Sequence, residues 1–205
     1  MILSHHGAVT ARILAAAAFA LVVLTGLQAL AADAPTDPKK QTPWGLYLTA
    51  KEAHDMKVAQ GAAVLFVDVR DPVEIMFTGF TNVVDVNVPF LLSNPAKWNK
   101  KKSVLLMERN PDFAAGIEVA LEARGLPKAT PVILMCRSGG TRGAPSAKAL
   151  DGKGFEAVYV VIDGFEGEAV KDHPNGPWRL KNGWKNSGLP WGYTLNPEKI
   201  FMRGG

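Results

Sequence analysis

Apolar residues fall along the chain in two alternating patterns, short continuous runs and helix-spaced stripes. Tyr47-Leu48 reads as a short strand, and Thr49 with Glu52 then forms a Ser/Thr-x-x-Glu capping box. A helix should run from there to about Gln60 and stop at Gly61, where a left-handed cap is easily reached. Ala62 to Val69 is near-continuously apolar, short and rich in β-branched residues, which predicts a buried strand of a parallel sheet. Asp71-Pro72 supplies a side-chain cap followed by a residue whose missing N–H costs nothing in a first turn, so a second helix should start there. Val83 to Val88 alternates as a strand, whereas residues 90–109 have no clean period and read as an inserted excursion. Asn110-Pro111-Asp112 precedes Phe113, Ile117, Ala120 and Leu121, which share one helical face ending at Gly125. Pro131 to Cys136 and Ala157 to Ile162 are two further buried strands, and between them Ala144 to Leu150 has helical composition, with Pro145 fitting only a first turn. Strands alternating with helices at this spacing predict an α/β fold, a central parallel sheet with helices on both faces.

The two ends of the chain follow other rules. Residues 1–31 hold no acidic side chain and a single arginine, Arg12, before the apolar run Ile13 to Leu30, and Ala29-Leu30-Ala31 closes the segment. A basic start, an apolar stretch and small residues at the end are the order of a secretory signal, expected to be cleaved after Ala31 and to send the product to the periplasm or outside the cell. Retention of this leader would instead make it a membrane anchor. Residues 32–45, with their prolines and paired lysines, read as a flexible lead-in; 46–170 form the domain; 171–205, rich in Gly, Pro and Asn and carrying Trp178, Trp184 and Trp191, form an extension expected to fold back as cover.

Composition narrows the chemistry. The chain has 205 residues, 47% of them hydrophobic, and a net charge of +4 from 23 basic and 19 acidic side chains, a balance too even to point to a nucleic acid partner. Lys100-Lys101-Lys102 reads as a solvated loop. The four histidines have no metal-ligand spacing, and Gly139-Gly140-Thr141-Arg142-Gly143 lacks the Lys-Ser/Thr ending of a nucleotide-binding loop, so neither metal nor organic cofactor is expected. One Cys in the whole chain excludes an intrachain disulfide framework and any site built of several thiolates.

That cysteine, Cys136, ends a buried strand, where open parallel sheets bind their ligands. It is followed by Arg137, Ser138, Gly139, Gly140, Thr141 and Arg142 and then by a helix. A Gly-rich turn entering a helix aims successive N–H groups inward, and with two guanidinium groups beside it can stabilise a thiolate or hold an anion above the sulfur. A bland alternative makes Cys136 a small core hydrophobe, but an unpaired thiol in an oxidising compartment, set in this run, favours an accessible nucleophile.

Asp68-Val69-Arg70, Glu74 and Gly79, Asn87-Val88-Pro89, Cys136-Arg137-Ser138-Gly139 and Asp163-Gly164-Phe165 occur in the order of the landmarks of a single rhodanese-like domain, which the chain resembles from about Leu46 to Val170. The resemblance implies a sulfurtransferase. Cys136 would take sulfane sulfur from a small anionic donor such as thiosulfate, become a persulfide, and pass the sulfur to a thiol or cyanide-like acceptor, or to a protein. On this reading Arg137 to Arg142 form the cradle, Arg137 and Arg142 are charge partners of donor or product, and Asp68 and Arg70 are supporting residues, with Arg70 expected to pair with a carboxylate such as Glu74. The family's Gly-His is Gly79-Phe80 here, and its following Ile-Pro-Gly-Ala is Thr81-Asn82-Val83-Val84.

Two other functions remain open at this point. Common single-domain relatives place an Arg five residues after the Cys, but here position 141 is Thr and Arg follows at 142. Cys, five residues and Arg is also the pattern of cysteine phosphatases and arsenate reductases, with Asp163 or Glu166 available as an acid. The Trp-rich extension would suit a noncatalytic persulfide carrier or binding module.

Overall fold

The computed structural model describes residues 31–174 and 176–202. The leader therefore lies outside the described residues, and among those described no helix is long and apolar enough to cross a membrane. Seven strands and four α-helices are named here in chain order.

Strand β1 (Leu46–Leu48) leads into α1 (Ala50–Gln60), which opens on the Thr49/Glu52 capping box and closes at Gly61 with φ +53°. The apolar run that follows splits: Gly61–Ala63 make a 3-10 turn, and only Leu65–Asp68 form β2. Asp71 caps α2 (Pro72–Thr78) by accepting the Val73 N–H. The next strand shrinks to β3 (Val86–Asn87). Helix α3 (Phe113–Glu122) starts after Asp112 rather than Asn110, because the Asn110 amide donates to the Pro89 carbonyl and its oxygen accepts from the Asp112 N–H. Strand β6 (Val132–Met135), α4 (Gly143–Lys148, with Pro145 in its first turn) and β7 (Val158–Val161) complete the frame.

The five strands β1-β7-β6-β2-β3 pair in that order, all parallel. Each continuous apolar run serves two cores at once, because successive side chains of a strand point to opposite faces. Leu65, Val67, Val132, Leu134 and Cys136 face Phe113, Ile117 and Leu121 of α3 and Ala147 of α4. Phe66, Ile133 and Met135 face Ala53 and Met56 of α1 and Ile75 of α2. After β2 the chain steps outward to β3, and it later returns to β6 on the other side of β2 before continuing to β7. The order therefore reverses between β2 and β6, and the crevice beyond their carboxyl ends is where such a sheet binds ligands.

Residues 90–109, without a period in the sequence, are an antiparallel hairpin of β4 (Leu91–Asn99) and β5 (Val104–Arg109). Its pairing jumps from Asn94↔Leu106 to Trp98↔Leu105, and the unmatched residues around Pro95 destroy the alternation. Neither strand has a fully buried residue, so no apolar face had to be written into it.

The terminal segments are tied to this frame. In the lead-in, Ala32 N–H donates to the Tyr47 carbonyl and Thr42 N–H to its hydroxyl. Trp184, fully buried, lies 5.6 Å from Phe66 and edge-on to His54 in the α1/α2 core, while Trp178 stays 53% exposed. Lys199 offers its carbonyl to the Asn87 N–H at 2.6 Å, so the C-terminal segment covers the β3 edge of the sheet.

Candidate active site

Parallel pairing of β2 with β6 sets Asp68 beside Met135 and carries Val69 N–H to the Met135 carbonyl, so the segments after the two strands leave the sheet side by side. From β6 comes Cys136 with its loop; from β2 come Arg70 and α2.

The loop rests on the turn after β7. Phe165 N–H donates to the Cys136 carbonyl at 2.8 Å and Glu166 N–H to the Arg137 carbonyl at 2.7 Å. Gly139, at φ +62°, passes so close to β7's end that a Cβ there would lie 1.6 Å from the Ile162 carbonyl oxygen. No other residue fits that position without moving the loop. Gly143, just past the predicted site residues, has a related part: a Cβ on it would sit 2.8 Å from Val160 and 3.9 Å from the Cys136 sulfur, so its absence lets α4 close down on the thiol. Arg142 occupies the cap position and Gly143 is the first helical residue, so the loop takes the longer of its two possible lengths and ends at Arg142 rather than at Thr141.

Among the described residues, none of the hydrogen bonds is donated by a backbone N–H from Arg137 through Arg142. A run of donors without partners inside the protein, following the thiol and leading into a helix, is available to an anion. The thiol itself corrects an expectation. It was expected to be accessible, yet Cys136 is 1% exposed and packs with Val132, Leu134 and Val160.

The arginines differ from expectation too. Arg70 is in a buried ion pair, but with Asp68 and not with Glu74. Its Nη2 lies 2.5 Å from Asp68 Oδ2 and its Nε 2.9 Å from Oδ1, and further bonds reach the Thr78 hydroxyl and the Gly79 carbonyl. Its guanidinium lies over the Phe165 ring at 3.9 Å, bracing the residue whose N–H holds Cys136. Glu74 is taken by Arg142 in a two-pronged pair, Nη1 on Oε2 and Nη2 on Oε1 at 2.7 Å. Burial would lower the Arg142 pKa, but the hydrogen bonds and charge of Glu74, helped by Cys136 and Asp68, outweigh it and the pKa is raised. Arg137 Nε pairs with Glu166 at 2.5 Å, and Lys185 of the C-terminal extension stands 3.8 Å from the same carboxylate while donating to the Thr78 carbonyl. Both loop arginines therefore stand against a carboxylate, Arg137 sharing Glu166 with Lys185. These partners were missed because they are remote in sequence; the signal available was Glu74 in the first turn of a helix that begins beside the site.

Asp163 accepts the Ala50 N–H at 2.8 Å and the Gly183 N–H at 3.0 Å, linking α1, the loop's bed and the extension. Burial raises its pKa, opposed by those N–H groups. With both oxygens engaged it is a structural node and not a proton donor to the loop. Ser138 and Gly140 are half-buried and Thr141 exposed at the rim. Among the described residues, no group of His, Cys, Asp and Glu is placed to hold a metal ion.

A parallel sheet with a cysteine loop at its switch point defines a class, and comparison with known proteins supplies the family. The rhodanese-like domain family matches residues 49–169, more than half of the chain, and the chain belongs to that family. A curated-protein search gives no match. Among solved structures, the chain is 29% identical to Rv0390 from M. tuberculosis, over 72% of this chain and 97% of that one, with a TM-score of 0.51. It is also similar to the polysulfide-sulfur transferase homodimer from Wolinella succinogenes, 21% identical over 71% of this chain and 76% of that one, with a TM-score of 0.39.

Proposed function

We propose that the protein is a sulfurtransferase that carries sulfane sulfur on Cys136 as a persulfide. The observation that carries this reading is the run of undonated N–H groups from Arg137 to Arg142 directly after the chain's only thiol, at the sheet's switch point. The Cys136 thiolate attacks the outer sulfur of a donor such as thiosulfate. A bond forms between the two sulfurs, the donor's own S–S bond breaks, and its electron pair leaves on sulfite. The new terminal sulfur keeps a negative charge, which the cradle stabilises. A thiophilic acceptor, cyanide or a thiolate, then attacks that sulfur and returns the Cys136 thiolate. Exposure to excess thiosulfate should raise the intact mass by one sulfur atom, cyanide should reverse the gain, and Cys136→Ser should abolish it. A wild-type protein that gains no sulfur from any sulfane donor would sink the proposal.

Phosphate or arsenate chemistry draws support from the loop ending at Arg142. Against it, that guanidinium is already held on two prongs by Glu74 and is not free to grip a tetrahedral oxyanion. Cleavage of an aryl phosphate by a protein that takes up no sulfur would reverse this preference.

We also propose export, on the order of charge, apolar run and small residues in 1–31. The N-terminal sequence of the protein released from cells should begin at Ala32; a full-length N-terminus on protein held in a membrane fraction would contradict cleavage.

A further inference from the structure

The β4–β5 hairpin differs from the rest of the molecule in charge. Residues 91–109 hold five basic side chains, Lys97, Lys100, Lys101, Lys102 and Arg109, against one acidic, Glu108. Taking these from the chain's 23 basic and 19 acidic side chains leaves 18 of each, so the hairpin carries the whole net charge of +4. Lys97 pairs with Glu108 at 2.7 Å, whereas Lys100, Lys101 and Lys102 are exposed and, among the described residues, meet no carboxylate. The turn that carries them is held in shape, with the Lys102 N–H donating to the Asn99 side-chain oxygen at 3.2 Å and Ser103 at φ +52°. Three like charges are thus fixed at consecutive positions at the hairpin's end, where they repel one another in the free protein.

Beside them the hairpin is apolar. Trp98 and Leu105 stand opposite each other in the ladder, which sets their side chains on one face, and with Val104 they are 59%, 43% and 47% exposed. Such a cross-strand pair steadies a hairpin, which accounts for Trp98 and Leu105 but not for the lysines. A surface that answers both must be negative and must also take up carbon. A bilayer with anionic headgroups does so, because lysine stems lie along its apolar boundary with their ammonium groups among the phosphates, and an indole settles at headgroup level. Nucleic acid fits less well: stacking needs a series of aromatic faces, and residues 91–109 offer Trp98 alone.

We propose that the tip of the β4–β5 hairpin, Trp98 with Lys100 to Lys102, docks the protein peripherally on an anionic lipid bilayer. Trp98 and Leu105 enter the headgroup region, and the lysines lie against the lipid phosphates. The hairpin also walls a cleft of about 350 Å³ lined by Arg137 and Arg142, so docking brings the arginines of the Cys136 loop near the membrane surface. The proposal stands whether or not Cys136 carries sulfur.

The test mixes the full protein with vesicles of phosphatidylcholine alone and of phosphatidylcholine with about a third phosphatidylglycerol. Sedimentation gives the ratio of the anionic to the neutral partition coefficient, from which anchoring by a retained leader, common to both, divides out. That ratio should be about 100 for wild type and should fall steeply when salt is raised to about 0.5 M. Lys100→Gln/Lys101→Gln/Lys102→Gln should weaken binding to the anionic vesicles about 100-fold, roughly fivefold for each lysine. Trp98→Ala should weaken it about tenfold. Urea midpoints should not move, since all four side chains are exposed. A ratio near one, or anionic binding unmoved by the triple variant, overturns the proposal. Binding that needs the lysines but is indifferent to Trp98→Ala also overturns it, in favour of an acidic protein as the partner.

Discussion

Replacing Arg70 by methionine should cost about 3–5 kcal/mol of folding stability, read as a lowered urea midpoint with unchanged slope. Asp68 and Arg70 side chains are both fully buried, and the guanidinium satisfies the carboxylate through Nε and Nη2 while also serving the Thr78 hydroxyl and the Gly79 carbonyl. Methionine fills much of the volume but leaves a carboxylate at the end of a central strand with only the Arg70 backbone N–H for company. The double variant Asp68→Leu/Arg70→Met should recover a large part of the loss, because a buried pair gains little over apolar residues of like size while half a pair is expensive. Sulfur loading should suffer in the single variant beyond the loss of folded protein, since Phe165, which holds the Cys136 carbonyl, loses the cation stacked on its ring. A loss below about 1 kcal/mol in the single variant would mean the pair is not the support described here.

Ending the chain at Val170 should abolish cooperative unfolding and leave the protein insoluble. The deleted segment carries Trp184, which has no exposed surface and packs against Phe66 and His54 with its indole N–H donating to the Pro190 carbonyl. It also carries the Gly183 N–H that one Asp163 oxygen needs, and Lys185 beside Glu166. Trp184→Ala is the graded form and should cost about 3–5 kcal/mol, while Trp178→Ala, at a half-exposed site, should change stability by roughly 0.5 kcal/mol or less. A truncated protein that stays soluble and unfolds cooperatively, having lost only the capture of a partner, would instead favour the binding-module reading of the extension.

These two experiments probe what lay on opposite sides of legibility. The helix starts at Thr49 and Asp71, the stop at Gly61 and the strands β2, β6 and β7 were readable because each is set by neighbours within a few residues: a hydroxyl and a carboxylate three apart, a proline after its cap, an apolar run of strand length. Cys136 to Arg142 could be singled out for the same reason, because glycines, arginines and a strand-ending thiol act together locally. The hairpin was hidden by its bulge and by the absence of a buried face.

What the linear order determined by itself was an alternating α/β frame and the place of a cysteine loop within it, since hydrophobic period and turn chemistry are local properties. Only the tertiary structure decided that Arg70 answers Asp68, that Glu74 and Glu166 claim the loop's arginines, that Trp184 enters the core, and that the thiol is buried. Charge pairing and burial are relations between residues remote along the chain, as Arg142 and Glu74 are, and no local pattern encodes which of several carboxylates an arginine will meet once the sheet has brought β2 and β6 together.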